Sequence, residues 1–269
     1  MTALLSEFLP AERYTLPTGP NDVERLLLLD ELYAPATEAL LDELALPHDS
    51  RVADIGSGSG LMSARFAARY GNGSVTGVDA SPEQIELARE RLSFRKLPSA
   101  TFNVANAYET GLPSATFDLV FCRMLLCHLQ RPLAALAEMR RLLKPGGMLL
   151  CEDVDSSGIL VHSAALVEFD VRIGHRLGVD FNIGPKLPRL FQTVGIADPH
   201  IKFFQPVFLR GRGKRFVEHT YAAHLPSFVA AGVTTRDEML AQLATLRQIN
   251  DDDIEAAPQF RLSQVWGRG

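Results

Sequence analysis

The stretch Val52-Ala-Asp-Ile-Gly-Ser-Gly-Ser-Gly60 constrains the fold more than any other part of this chain. A short apolar run ending in an acid and three closely spaced glycines reads as a buried strand feeding a sharp turn. Glycine has no Cβ, so such a turn can adopt backbone angles closed to other residues and let a ligand approach the main chain. The spacing restricts that ligand. Gly56, Gly58 and Gly60 form G-x-G-x-G, whereas a dinucleotide fingerprint needs G-x-G-x-x-G or a final Ala, and Leu61 stands where the last small residue belongs. The loop is poorly matched to a pyrophosphate. Asp54, two residues before the first glycine, suits a ligand that carries positive charge.

A second strand follows on schedule. Ser74-Val-Thr-Gly-Val-Asp79 is β-branched and ends in a carboxylate, and Asp79 lies 23 positions after Gly56, close to the roughly 20 expected between a glycine loop and an acid that accepts ribose hydroxyls. Met62 to Tyr70 supplies the crossover helix. Later segments keep the alternation going: Thr101 to Tyr108 as a third strand and loop, Thr116 to Phe121 as a fourth strand, and Leu143-Lys-Pro-Gly-Gly-Met-Leu-Leu150 as a helix end turning into a fifth. There Lys144 complements the negative helix terminus, Pro145 stops the helix and Gly146-Gly147 permits the turn. Alternating strands and helices from Arg51 to Val154 demand a parallel sheet with helices on both faces.

From Val52 to Asp155 this ordered set of segments resembles the class I S-adenosylmethionine-dependent methyltransferases. Their first motif is an acid followed by G-x-G-x-G, and their second is the strand-terminal acid. The resemblance implies a Rossmann-like, doubly wound α/β fold with a mostly parallel seven-stranded sheet, an antiparallel edge pair and helical lid insertions. It implies S-adenosylmethionine as cofactor, with S-adenosylhomocysteine as product. Gly56, Ser57, Gly58 and Gly60 would lie beside the methionine part and Asp54 would orient its ammonium. Asp79 would hold the ribose hydroxyls and Ala80 would sit against the adenine. Asn106 occupies a position where many members have Asp; its amide oxygen can accept from the adenine amino group without charge assistance. Ala107 would donate through its backbone N–H, and the main-chain carbonyl of Arg123 would meet the ammonium, while the Arg123 side chain reads equally well as a surface charge. Apart from the resemblance, Tyr14 and Arg25 precede the core and are expected to close over the cofactor from the helical N-terminal section, the alternative being a helix packed on the sheet through Leu26 to Leu29.

The remainder of the chain reads as additions to that core. Residues 1–50 form an N-terminal helical section and lid, with a helix from Asn21 to Leu46 ended by Pro47; residues 51–155 form the cofactor-binding core; residues 156–269 hold lid insertions and closing strands of the same domain. In the last part, helices are expected over Ile159–Gly178, Pro185–Val194 and Lys214–Ile249, and strands over His200–Leu209 and Gln259–Trp266. Candidates for substrate contact follow the fourth and fifth strands. His128 is a candidate general base, since histidine accepts a proton near neutral pH. Glu152 and Asp153 stand at the mouth of the fifth strand beside Asp155, and alternation prevents both from facing one side. His162, His175, His219 and His224 are weaker candidates, and Phe203, Phe204 and Phe208 read as core or pocket lining.

Composition narrows the partners. A net charge of −5 over 269 residues argues against nucleic acid, and Arg210-Gly-Arg-Gly-Lys-Arg215 reads as a solvated turn. After the fourth strand stands Cys122-Arg-Met-Leu125, where an enzyme acting on nucleic acid or protein would carry a motif such as Asn-Pro-Pro-Tyr. Cys122, Cys127 and Cys151 lack metal-ligand spacing and read as reduced, packed thiols. No metal is expected, and no apolar run nears the roughly 20 residues of a membrane span. The expectation is a cytoplasmic enzyme, monomeric or homodimeric, that moves a methyl group to oxygen, nitrogen or carbon of a small, partly apolar molecule such as a secondary metabolite. Two alternatives stay open from sequence: a protein that binds S-adenosylmethionine in a non-methylating role, and an NAD(P)-dependent oxidoreductase.

Overall fold

The computed structural model describes residues 23–95, 100–161 and 164–269. Its frame is a seven-stranded sheet. Strands β1 (Arg51–Ile55) and β4 (Phe117–Arg123) have mainly apolar interiors, and both are buried along most of their length. Strands of that kind need cover on two faces and belong at the centre of a parallel sheet. The observed order is β3 (Ala100–Val104), β2 (Ser74–Asp79), β1, β4, β5 (Leu143–Asp155), β9 (Arg261–Arg268) and β6 (His200–Phe204). The first five are mutually parallel, and β9 runs antiparallel to both β5 and β6. A separate two-stranded ribbon pairs β7 (Val207–Phe208) with β8 (Ala257–Pro258).

Period-two alternation assigns the two faces of this sheet. Val52, Val75, Leu119, Phe121 and Leu150 pack with Ala34, Leu40 and Leu41 of α1 (Val23–Leu44) and with Met62, Phe66 and Tyr70 from α2 (Leu61–Arg69) and its C-terminal end. The alternate residues Ala53, Val120, Cys122, Leu149 and Cys151 share a cluster with Leu136 and Met139 of α4 (Pro132–Leu142), and that cluster extends to α5 (Ala164–Leu177), α6 (Leu187–Thr193), α7 (Phe216–Ala230) and α8 (Arg236–Asp251). All three cysteines are buried free thiols. Helix α3 (Pro82–Arg95) closes a smaller cluster against Phe102 of β3.

Register decides where chemistry can occur. Ile55 pairs with Val78, Asp54 with Phe121 and Asp79 with Val104, so the carboxyl ends of β1 to β4 lie at one edge of the sheet. The chain runs outward from β1 to β3 and returns to β4. In open α/β sheets the crevice at that reversal is where ligands bind.

Four expectations change in detail. The strand expected over His200–Leu209 is split into β6 and β7, because Gln205-Pro206 separates them and a proline cannot continue a ladder. The helical stretch Lys214–Ile249 is two helices, and Thr235 caps the second with a reciprocal Glu238 bond. Lys144 lies in β5, and its ammonium is 2.7 Å from Asp118 on β4, a carboxylate being a stronger partner than a helix terminus. Phe203 is neither core nor pocket lining: it is exposed, with the Arg261 guanidinium 4.9 Å above its ring.

The helix-to-sheet contact at Phe66 tests the core. Its ring is fully buried and meets Phe121 edge-on at 5.0 Å between centroids. Phe66→Ala should lower the unfolding free energy in urea by about 3–5 kcal/mol with an unchanged denaturant slope.

Candidate active site

A cavity of about 470 Å³ opens at the reversal between β1 and β4. On the sheet side it is lined by Asp54, Gly56, Ser57, Gly58, Asp79, Ala80, Asn106, Ala107 and Arg123. Gly58 has φ +51°, and a Cβ there would meet no protein atom; its backbone faces open space beside the cavity wall. Gly60 does not line the cavity. It opens α2 at φ +73°, where a Cβ would lie 2.8 Å from the Phe102 ring and 2.9 Å from Ala88, so its part is helix packing.

The acids are held by named donors. Asp79 accepts from the Gly58 N–H through Oδ2 at 2.8 Å and from the Ser81 N–H through Oδ1 at 2.9 Å. A carboxylate has about four lone-pair sites, so both oxygens can still accept a hydroxyl. Asp54 is only 2 % exposed and takes a 2.6 Å bond from the Ser63 hydroxyl. Burial pushes its carboxyl up to about 6, against the Ser63 bond and the nearby Arg123 guanidinium, which favour the charged form. Asn106 turns its amide oxygen to the Tyr108 N–H at 2.9 Å, which occupies one of that oxygen's two acceptor sites.

Arg123 is no surface charge. Its side chain is 7 % exposed, and Nη2 pairs with Asp30 of α1 at 3.0 Å while Asp30 also takes Arg65 at 2.8 Å. Nη1 is buried with no hydrogen-bond partner. A guanidinium N–H of that kind at a cavity wall is a donor waiting for an acceptor.

Glu152 and Asp153, expected to contact substrate, are both fully buried and do not line the cavity. Glu152 accepts from Thr37 of α1 at 2.6 Å and from Gln264 of β9 at 2.5 Å, fastening α1 across the sheet. Asp153 points the other way and accepts from the N–H groups of Leu126 at 2.8 Å and Cys127 at 3.3 Å, fixing the turn that carries His128. Both side chains are consumed by backbone and helix anchoring. His128 does line the cavity, and burial with the nearby Arg25 charge lowers it to about 4. Arg25 also lines it. Tyr14 and His162 lie outside the described residues, and His175 and His219 do not line the cavity.

The other wall comes from parts of the chain whose order along the sequence hides their proximity. Phe181, Asp170 of α5, Thr220, Tyr221, His224 and Phe228 of α7, Met239 of α8 and Phe260 all line it. The Tyr221 hydroxyl donates to Asp170 at 2.5 Å, and burial pushes that carboxyl up to about 7. The spacing Thr220, Tyr221, His224, Phe228 is one helical face, a signal present in the sequence but indistinguishable there from a packed core. Gln84, in the first turns of α3, adds a buried amide oxygen without a partner. The Arg210–Arg215 cations are paired: Arg210 with Asp253, Arg212 with Glu31, Arg215 with Glu218 and Asp251, while Lys214 is buried against the Asp252 carbonyl. Among the described residues no group of three His, Cys, Asp or Glu is arranged for a metal, and no helix is long and apolar enough to cross a membrane.

Comparison with known proteins gives a consistent neighbourhood. Residues 53–151 match the family model described as a methyltransferase domain. An uncharacterised methyltransferase of Schizosaccharomyces pombe is 35% identical over 111 residues, 39% of this chain and 40% of that protein. The 27-O-demethylrifamycin SV methyltransferase of Amycolatopsis mediterranei is 31% identical over 151 residues, 56% of this chain and 54% of the relative. The chain thus spans about half the length, or less, of these curated relatives. A crystal structure described as a putative methyltransferase from Bacillus halodurans superposes with TM-score 0.61 at 17% identity, covering 86% of this chain and 97% of that one, which shows a shared fold.

Asp54 sets a pH test. Its carboxyl ionises near its ordinary 3.8 when unfolded and near 6 when folded, so the folded state holds the proton more tightly. Stability from this group is present below about pH 4, declines as pH rises, and is gone above about 6. Asp54→Asn should therefore stabilise the protein by about 1–3 kcal/mol at pH 8 and by almost nothing at pH 4. Melting curves of both proteins across that range check the sign.

Proposed function

We propose that this chain, whose residues 53–151 match a methyltransferase domain model, is a class I S-adenosylmethionine-dependent methyltransferase that moves a methyl group from that cofactor to oxygen, nitrogen or carbon of a small, partly apolar acceptor. One observation carries the reading. A buried carboxylate, a glycine backbone open to the cavity and a strand-end carboxylate, Asp54, Gly58 and Asp79, line the same cavity as an aromatic wall. An acceptor drawn from secondary metabolism is in keeping with the relative named for 27-O-demethylrifamycin SV.

The residues present fit the cofactor. Asp54 would face its ammonium, and the partnerless Nη1 of Arg123 would donate to its carboxylate, in addition to the carbonyl role expected for that residue. Asp79 would accept the ribose hydroxyls beside the bonds it already takes from Gly58 and Ser81. Ala80, Asn106, Ala107 and the orphan amide oxygen of Gln84 would border the adenine. When bound, the cofactor supplies a methyl group already activated on a sulfonium, so no covalent protein nucleophile is needed. The chain's part is to align the acceptor atom with the carbon–sulfur bond and to exclude water.

Helices α7 and α8 with the N-terminal section act as the lid in this reading, supported by Phe228 and Met239 lining the cavity from outside the sheet. A small acceptor rather than nucleic acid is favoured because the Arg210–Arg215 cations are already partnered, the three arginines by carboxylates and Lys214 by a backbone carbonyl. Three buried free thiols favour a reducing compartment such as the cytoplasm.

Calorimetric titration tests the assignment. S-adenosylmethionine and S-adenosylhomocysteine should bind at micromolar concentration and NADH should not. Asp79→Ala should abolish that binding, while Asp118→Ala, which alters the carboxylate paired with Lys144 at the other end of β4, should leave it intact. Equal affinity of the two variants would remove Asp79 from the site.

A further inference from the structure

The α7 wall of the cavity holds a histidine with one nitrogen committed and one free to act. Nδ1 of His224 lies 2.8 Å from the Thr220 carbonyl one turn earlier. A carbonyl only accepts, so Nδ1 carries the hydrogen and Nε2 is left with its lone pair. Nε2 is buried and has no hydrogen-bond partner, and the residue, 7 % exposed, lines the cavity. Buried acceptors are rarely left in that state unless something else supplies the donor. The surroundings are aromatic: Phe228 lies 4.6 Å from the imidazole and Phe181 6.5 Å, and Phe181 also meets the ring of His128 at 5.9 Å.

We propose that Nε2 of His224 accepts the proton of a hydroxyl group on a ring-bearing, largely apolar acceptor, making this chain an oxygen methyltransferase with His224 as a catalytic residue. The proposal rests on the cofactor reading above and names the acceptor class for the same cavity. The required group must donate to a bare imidazole nitrogen and become a better nucleophile by losing that proton; a hydroxyl meets both conditions. A cationic amine is opposed by the Arg25 charge, which acts on both His224 and His128. The neighbouring ionisable groups are these two on α1 and after β4, with Asp170 of α5 bonded to Tyr221 one turn before His224.

The step balances. The O–H bond breaks and its proton goes to Nε2, the oxygen pair forms the new O–C bond, and the pair of the broken C–S bond stays on sulfur as S-adenosylhomocysteine. One positive charge leaves the sulfonium as one appears on the imidazolium, so the net charge of the cavity is unchanged by the step. Burial keeps His224 neutral beforehand, so Nε2 enters the step with its lone pair.

Two readouts test this on the full chain. With histidine nitrogens labelled and S-adenosylhomocysteine bound, 2-naphthol or 7-hydroxycoumarin should shift the Nε2 resonance of His224, and 2-methoxynaphthalene should not. In turnover with radiolabelled S-adenosylmethionine, label should pass to the hydroxyl compounds in preference to 2-naphthylamine, and His224→Ala should lower kcat by about 10²-fold or more with cofactor affinity unchanged. An Nε2 signal unmoved by both hydroxyl compounds, preferential labelling of the amine, or wild-type turnover by His224→Ala would overturn the proposal. Failure of the wild-type protein to bind S-adenosylhomocysteine would instead overturn the cofactor reading, so the two failures are distinguishable.

Discussion

The parallel pairing of β1 between β2 and β4 is the constraint on which the rest of the molecule depends. It buries β1 on both faces, brings the carboxyl ends of neighbouring strands to one edge, and leaves a crevice where the chain reverses from β3 to β4. The sheet side of the cavity follows from that edge. Asp54, Asp79 and Arg123 are strand-end residues brought side by side by register, and the glycine loop is the connection that β1 must make to α2.

Placing charge there has consequences that the surrounding structure has to meet. Desolvation raises the carboxyls of Asp54, Asp79, Glu152 and Asp153, and each is compensated by particular donors: Ser63 for Asp54, the Gly58 and Ser81 amides for Asp79, Thr37 and Gln264 for Glu152, the Leu126 and Cys127 amides for Asp153. Removing one donor from a buried charge is costly because the charge stays behind. These bonds also do architectural work. Glu152 holds α1 to β5, Asp153 sets the turn that presents His128, and Asp30 joins α1 to the Arg123 guanidinium at the cavity wall. The N-terminal helix is thereby part of the site's scaffold, tied by polar contacts as well as by Leu40 and Leu41.

Much of this is legible in the chain itself. The acid and G-x-G-x-G spacing, the acid 23 positions later and the alternation of apolar runs point to the sheet, to its cofactor edge and to Asp54, Gly58 and Asp79, all of which line the cavity. Such signals are local: a strand end and a tight turn are defined by neighbours in sequence. Glu152 and Asp153 misled for the same reason. An acid at the carboxyl end of a strand looks like a ligand group whether it faces the cavity or a helix, and the Thr37 and Gln264 partners that consume Glu152 are 115 and 112 residues away.

The sequence by itself determined the alternation of strands and helices, the glycine turn and the strand-end positions of Asp54 and Asp79, because periodicity and glycine spacing are properties of contiguous residues. Only the tertiary structure decided which of the many side chains beyond that edge share the cavity. His224 became distinguishable from the other histidines when the fold buried its Nε2 at the cavity wall without a partner, and Arg123 ceased to look like a surface charge when Asp30, 93 residues earlier, met it. Both outcomes turn on desolvation, which depends on everything packed around a group and is invisible to the residues beside it in the chain.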